Sequence, residues 1–375
     1  MHVIARMNVG GPAVEIAELM RGLDPQEIQQ LLVTGYCDED EVDFLETQAP
    51  DIEAVRIPGL GRAIRSTGDL RAFVRLVRAI REFEPDVVHT HTAKAGVLGR
   101  LAARVSGRKV SVVHTYHGHL LHGYFKPWKT RLLVHVERGL ARITSQIVTV
   151  GMQVRRDLLN AGIGRDEQYV VIRSGVRIKQ PPDSFVARQQ LGLPQRVTTV
   201  ALIGRLTKVK RPDRFIEVAA NLVADNTEVF FVVAGGGEDE AEIMDAAVAL
   251  QLPMTFLGWR SDIETVLAAS DVIVLTSDNE GTPLSLIQAA LVGIPAVATD
   301  VGSVSEVVVD GVTGLLCPPS SESIAEKLSM LIQDSQLRSK MGVEARKFAK
   351  ENYEPRQFLE SHRTVYERSS QARRG

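Results

Sequence analysis

Short apolar runs rich in valine and isoleucine alternate along the whole chain with stretches whose apolar residues recur every three or four positions. Runs of the first kind suit strands buried on both faces, and stretches of the second kind suit amphipathic helices. Their alternation predicts strand-helix units around parallel sheets. In the first half, strands are expected at residues 3–5, 28–33, 87–89, 110–115, 146–150 and 169–172. The clearest helix spans 70–83, with Leu70, Phe73, Val74, Val77 and Ile80 on one face and Arg71, Arg75 and Arg78 on a neighbouring, solvent-facing side.

A polar, proline-containing stretch, 177–194, interrupts the pattern and reads as an interdomain linker with a short helix. A second series of strands then follows at 197–203, 229–234, 254–257, 272–275 and 296–299. The chain of 375 residues is of a length for two domains, expected at 1–176 and 177–352. The closing segment, 353–375, carries Phe358, Leu359, His362, Val365 and Tyr366 at helical spacing with no strand after it, and is expected to pack back on the first domain. Ligands of open parallel sheets bind beyond the carboxyl ends of the strands, so two such sheets predict a cleft between domains, lined by the residues that follow each strand.

Charge changes this picture only locally. Lys and Arg number 44 against 46 Asp and Glu, a net charge of −2, which gives no global case for nucleic-acid binding. Between residues 54 and 142, however, 17 basic residues stand against 5 acidic ones, a block suited to an anionic acceptor, a membrane surface or simply a solvated helix face. Cys37 and Cys317 match no metal-ligand spacing, as expected for a reduced, cytoplasmic protein. Neither a signal peptide nor an apolar run of membrane-spanning length is found, so any bilayer contact is expected to be peripheral; the first strand is short, as though trimmed.

Candidate chemistry lies where the pattern says to look. Gly10 and Gly11 follow the first strand and precede a helix, a turn that either brings backbone amides to a phosphate or is merely tight. Neither they nor Gly235, Gly236 and Gly237 complete a dinucleotide fingerprint. His114, His117, His119 and His122 cluster past a strand end without metal-ligand spacing, and His117, in His-Gly, is the candidate ligand contact. Arg205 and Lys210, after another strand, suit the charge on a leaving diphosphate or belong to an ordinary basic loop. In NEGTPLSLIQAALVG, Pro283 fits a first helical turn, so the amides of Leu284 and Ser285 face outward for a phosphate. Glu280, an acceptor-only carboxylate, better suits sugar hydroxyls. Asp38, Glu39 and Asp40 read as a solvated acidic loop rather than a metal site.

The order Gly10-Gly11, His117-Gly118, Gly204-Arg205 with Lys210, and Asn279-Glu280-Gly281-Thr282-Pro283 resembles retaining glycosyltransferases of family four. The similarity covers nearly the whole chain, including ASDVIVLTS before the glutamate loop and VATDVGSVSEVV after it. It implies a GT-B fold, two Rossmann-like α/β domains with a C-terminal helix crossing back to the first. It further implies a nucleotide diphosphate-sugar held mainly by the second domain and an acceptor held mainly by the first. Arg205 and Lys210 would contact the diphosphate with the amides of Leu284 and Ser285, and Glu280 would hold the donor sugar. His117 would lie near the sugar's reacting side, the Gly10-Gly11 loop over the phosphates, and Trp259 by the base or in packing. No metal is implied. Many relatives carry glutamate where this chain has Gln288, a ribose contact that the neutral amide would weaken by about 1 kcal/mol.

These residues point to a cytoplasmic glycosyltransferase using a UDP- or GDP-sugar, of hexosyl or N-acetylhexosaminyl type, in assembly of a polysaccharide or glycolipid. The aromatic and basic segment 124–131 would suit a lipid-linked acceptor at a membrane face or the packing of a helix start. A non-catalytic nucleotide-sugar-binding subunit and a sugar-nucleotide epimerase are the alternatives.

Overall fold

The computed structural model describes residues 1–39, 41–63, 66–118 and 127–374. The chain divides into two compact units, Met1–Gly175 with Pro355–Gly375, and Val176–Glu354.

The first unit is built on seven parallel strands: β1 (His2–Ile4), β2 (Leu32–Thr34), β3 (Ala54–Arg56), β4 (Val87–His91), β5 (Ser111–Tyr116), β6 (Gln146–Thr149) and β7 (Tyr169–Val171). Their order is β3-β2-β1-β4-β5-β6-β7. The second has six: β8 (Thr198–Ile203), β9 (Val229–Ala234), β10 (Met254–Phe256), β11 (Val272–Leu275), β12 (Ala296–Thr299) and β13 (Gly314–Cys317), in the order β10-β9-β8-β11-β12-β13. Both orders are those of a doubly wound Rossmann-like sheet, whose direction of winding reverses beside the first strand. The reversal falls between β1 and β4 in one unit and between β8 and β11 in the other.

Two strands escape the hydrophobic pattern. β3 is a three-residue edge strand with no fully buried residue, and β13 is a short Gly-Leu-Leu-Cys run; neither has the length or alternation that marks a strand. The helix Ser66–Phe83 forms where expected but is turned about its axis. Ala72, Leu76 and Ile80 are buried, Phe73 and Val77 pack beside them, and Leu70 and Val74 are exposed. The small Ala72 begins the buried stripe, and the larger Leu70 and Val74 on one flank are left outside. Arg71, Arg75 and Arg78 are exposed.

The last helix, Pro355–Arg374, belongs to the first unit. Phe358, His362, Val365 and Tyr366 are buried there, Tyr366 Oη lies 2.7 Å from His89 Nδ1, and Ser111 Oγ donates to the Ser369 carbonyl at 2.6 Å.

Candidate functional site

In the second unit, the loops after β8 and β11 meet at the winding reversal. Lys210, from the first loop, places Nζ 2.6 and 2.7 Å from the two carboxylate oxygens of Glu280, from the second. Ser277 Oγ donates to Glu280 Oε1 at 2.6 Å. The carboxylate is buried, and the ammonium is about three-quarters so, with 26 % of its side chain exposed. The Lys210 loop is tied down by Thr276 Oγ1, which lies 2.9 Å from the Lys210 carbonyl and 3.0 Å from that of Arg211. Behind Glu280 stands Gly302 at φ 55°, where a Cβ would fall 2.0 Å from the Glu280 carbonyl oxygen. Only glycine permits that approach. The glutamate is therefore fixed from the lysine, the serine and its own backbone.

Reading the sequence assigns Glu280 and Lys210 to different parts of a ligand; the structure brings them together as one pair. Arg205, beside Gly204, is exposed and has no side-chain partner among the described residues. Of the two cations, Lys210 is compensated and Arg205 is open to an anion. Gly281 and Thr282 lead into the helix Leu284–Val292, which Pro283 caps from outside instead of forming its first turn. Its carbonyl accepts from Leu286 N–H at 3.1 Å, so the amides of Leu284 and Ser285 come before the first helical bond. Gln288, half-buried, follows one turn later and has no side-chain hydrogen bond to the protein among the described residues. Trp259, after β10, lies against the glycine turn after β9, where a Cβ on Gly236 would meet its Nε1 at 2.7 Å.

In the first unit, Gly10 caps the helix Gly11–Gly22 in extended backbone and accepts from Val14 N–H at 3.2 Å. One turn along, Glu15 is buried. His117, at the end of β5, has Nδ1 2.8 Å from Glu15 Oε2 and Nε2 3.0 Å from Nδ1 of His91, at the end of β4. The Glu15 oxygen faces His117 Nδ1 without the geometry of a hydrogen bond. Burial pushes the Glu15 carboxyl up, but the charge and contact of His117 and the hydroxyl of Ser174 outweigh it and hold it below its ordinary value. Both ring nitrogens of His117 thus face protein groups. The turn that carries it is anchored by the preceding residue: Tyr116 Oη donates at 2.5 Å to Glu137 Oε2, which also accepts from Arg100 Nη2 at 2.7 Å.

His114 is a core residue, buried, with Nδ1 2.8 Å from Thr90 Oγ1. His2, His89 and His91 bring ring nitrogens within 4.8 Å of one another. Both nitrogens of His89 are already bonded, to Tyr366 and Thr115 at 2.7 Å, so hydrogen bonding accounts for the trio without a cation. Asp38 and Glu39 are exposed, while Asp40, His119, His122 and residues 124–126 lie outside the described residues. Glu15, His91, Ser277 and Gly302 are the neighbours that sequence reasoning does not single out. A charged residue among the apolar positions Ala13, Ile16 and Ala17 is the signal that could have flagged Glu15.

The family model for glycosyl transferases group 1 matches residues 183–348, and that for the glycosyl transferase 4-like domain matches residues 10–175. EpsD of Bacillus subtilis (strain 168), named as a glycosyltransferase, is 31% identical over 75% of this chain and 76% of its own. The UDP-Gal:alpha-D-GlcNAc-diphosphoundecaprenol alpha-1,3-galactosyltransferase of Escherichia coli is 29% identical over 67% of each chain. Anabaena Alr3699/HepE, solved in complex with UDP and glucose, superimposes with a TM-score of 0.79 at 23% identity over 96% of each chain, a likeness of fold. By its matches across both units and its paired Rossmann-like sheets, the chain belongs to the group 1, family-four-like glycosyltransferases of GT-B fold.

Proposed function

We propose that the protein transfers a hexosyl or N-acetylhexosaminyl group, with retention and without a metal, from a UDP- or GDP-sugar to a polysaccharide, glycolipid or lipid-linked acceptor. The observation that carries this reading is the Lys210–Glu280 pair at the winding reversal of the second sheet, beside the open Arg205 and the start of the helix Leu284–Val292. An acceptor hydroxyl attacks the anomeric carbon as the bond to the diphosphate breaks, and its proton leaves with a diphosphate oxygen. Arg205 and Lys210, with the Leu284 and Ser285 amides, meet the charge that develops there. The remaining acceptor capacity of Glu280 orients sugar hydroxyls, Trp259 borders the base, and the Gly10-Gly11 turn serves the phosphates. The names of relatives support a nucleotide-sugar donor and a lipid-diphosphate acceptor. The excess of basic residues between 54 and 142, with exposed Trp128 and Leu132, supports peripheral contact with an anionic membrane face. Among the described residues no helix is long and apolar enough to cross a membrane.

Thermal-shift titration with UDP-, GDP- and ADP-sugars tests the reading, because a ligand of the native state raises the melting temperature with its concentration. One uridine or guanosine donor is expected to do so and then to be consumed on addition of a lipid-diphosphate acceptor. A donor that binds but is never transferred would instead mark a binding subunit. Replacement of Gln288 by glutamate is expected to tighten donor binding by about tenfold, through a charge-assisted bond to ribose, while kcat stays within about twofold. Calorimetric Kd and steady-state kcat, measured together, check it.

A further inference from the structure

Among the described residues, five other than glycine have positive φ: Glu84, Thr92, Arg211, Asn226 and Gln251. Glu84, Asn226 and Gln251 stand just past the ends of helices, where left-handed backbone commonly closes the last turn. Thr92 and Arg211 instead precede helices, one in each unit, and Arg211 adjoins the Lys210–Glu280 pair. At φ 54° and ψ 53° it caps the start of the helix Pro212–Ala224, directly before a proline. A helix N-cap ordinarily takes extended backbone, a residue before proline is pushed the same way, and a side chain with a Cβ resists the left-handed region. Three local preferences therefore oppose the conformation that Arg211 adopts. Such a state persists only where its surroundings over-determine it.

The surroundings are the loop that carries Glu280 and the helix that Arg211 begins. Asp278 N–H donates to the Val209 carbonyl at 2.9 Å, and the Thr276 hydroxyl lies against the carbonyls of Lys210 and Arg211. The Arg211 guanidinium donates to Asp213 from Nε, at 3.0 Å to each oxygen, and from Nη2 at 2.8 Å, while Nη1 reaches Asp278 Oδ2 at 3.3 Å. Arg214, on the same helix, takes the other Asp278 oxygen at 2.7 Å and donates to the Thr276 carbonyl. The guanidinium is thus held between a carboxylate of its own helix and one of the Glu280 loop. On its other side, Lys210 belongs to a turn in which its own N–H and that of Arg211 donate to the Thr207 carbonyl at 2.8 and 3.2 Å. Extended backbone at Arg211, with the following helix held in place, would redirect the chain that enters it. Lys210 would then leave the carboxylate that it meets at 2.6 and 2.7 Å.

We propose that Arg211 is a positioning residue of the donor site: its left-handed backbone, locked by the guanidinium between Asp213 and Asp278, aims the Lys210 ammonium at Glu280. The position requires the backbone and not the charge, so glycine serves there and alanine does not. The consequence for turnover rests on the reading given above, whereas the aim of the ammonium is a property of the ligand-free protein.

Arg211→Gly and Arg211→Ala both remove the guanidinium, but only glycine enters the left-handed region freely. Elsewhere the order is the reverse, since glycine loses more freedom on folding than alanine, so comparing the two separates aim from general stability. The first readout needs no substrate: acylation of the Lys210 amine by acetic anhydride in the ligand-free protein, followed by peptide mass spectrometry. An ammonium held on both oxygens of Glu280 reacts slowly. Lys210 is expected to be acylated about tenfold faster in Arg211→Ala than in Arg211→Gly, with the exposed Lys350 reacting equally in both. A ratio near one, or faster reaction in the glycine variant, overturns the proposal. The second readout is transfer, where kcat in Arg211→Ala is expected to lie about tenfold below that in Arg211→Gly with donor KM changed less. Equal kcat in the two variants of an active enzyme removes Arg211 from the role. If the acylation ratio holds but the wild-type protein consumes no donor, the positioning of Lys210 stands and the reading of glycosyl transfer fails.

Discussion

Replacing Glu280 by glutamine is expected to lower turnover of the proposed transfer by about 10²- to 10³-fold, with the second unit still folded. The substitution keeps size and reach, so what it removes is charge. Glu280 accepts from Lys210 on both oxygens and from Ser277 on one. Such charge-assisted bonds each contribute about 1.5–3 kcal/mol, and an amide can retain at most part of them. Lys210 would be left as an unpaired cation, free to swing from the place where a leaving diphosphate needs it. A loss of about 3–4 kcal/mol in the transition state corresponds to the stated range. The penalty to folding should be smaller, on the order of 1–2 kcal/mol, because Lys210 is partly exposed and water can replace its partner. Steady-state kcat for Glu280→Gln, Lys210→Met and the double variant provides the check. If the two residues act as one unit, the double variant loses little more than either single one. Wild-type turnover in Glu280→Gln would end the assignment.

That pair also shows where sequence reasoning stops. Both residues stand out in the sequence because each follows a strand of a parallel-sheet pattern, the place where such folds bind ligands. Their contact does not, because 70 positions separate them and nothing local to either says that the first and fourth strands of the second sheet are neighbours. The backbone support is equally hidden. Gly302 reads as one glycine of a loop until the structure sets the Glu280 carbonyl against it. In the first unit the pattern located His117 but not what surrounds it. His89 and His91 lie in β4 between buried neighbours, and polar residues inside a strand weaken the signal that should have extended it, so the expected strand ends early. Their role follows from which nitrogens meet across strands β1, β4 and β5, a property of register and rotamer that periodicity does not carry.

The same histidines should make the two units respond unequally to acid, the first losing its structure near pH 5 while the second remains folded. All nine histidines of the chain, from His2 to His362, fall in the first unit and none lies between 176 and 354. Five of them, His2, His89, His91, His114 and His362, are buried and held below the ordinary value, to about 3 for His2 and about 4 for His362. A group whose value is depressed in the folded state binds its proton more readily when unfolded. Its contribution is intact above the unfolded value of about 6.5 and is lost as pH falls from there toward the folded value. At pH 5 the unfolded chain takes up protons at these five positions that the folded unit refuses, a cost that falls on the first unit alone and acts against the modest stability of an ordinary domain. The second unit has no equivalent. The carboxylates held low there, such as Asp213 and Asp262, matter only below the ordinary carboxylate value of 3.8. Hydrogen-exchange mass spectrometry between pH 7 and pH 4.5, with rates corrected for intrinsic pH dependence, separates the units by peptide. Peptides from β1, β4, β5 and the last helix should lose protection first, with those from β8 to β13 following only in stronger acid. Simultaneous loss in both units, or earlier loss in the second, would mean that the buried imidazoles do not govern the acid limb.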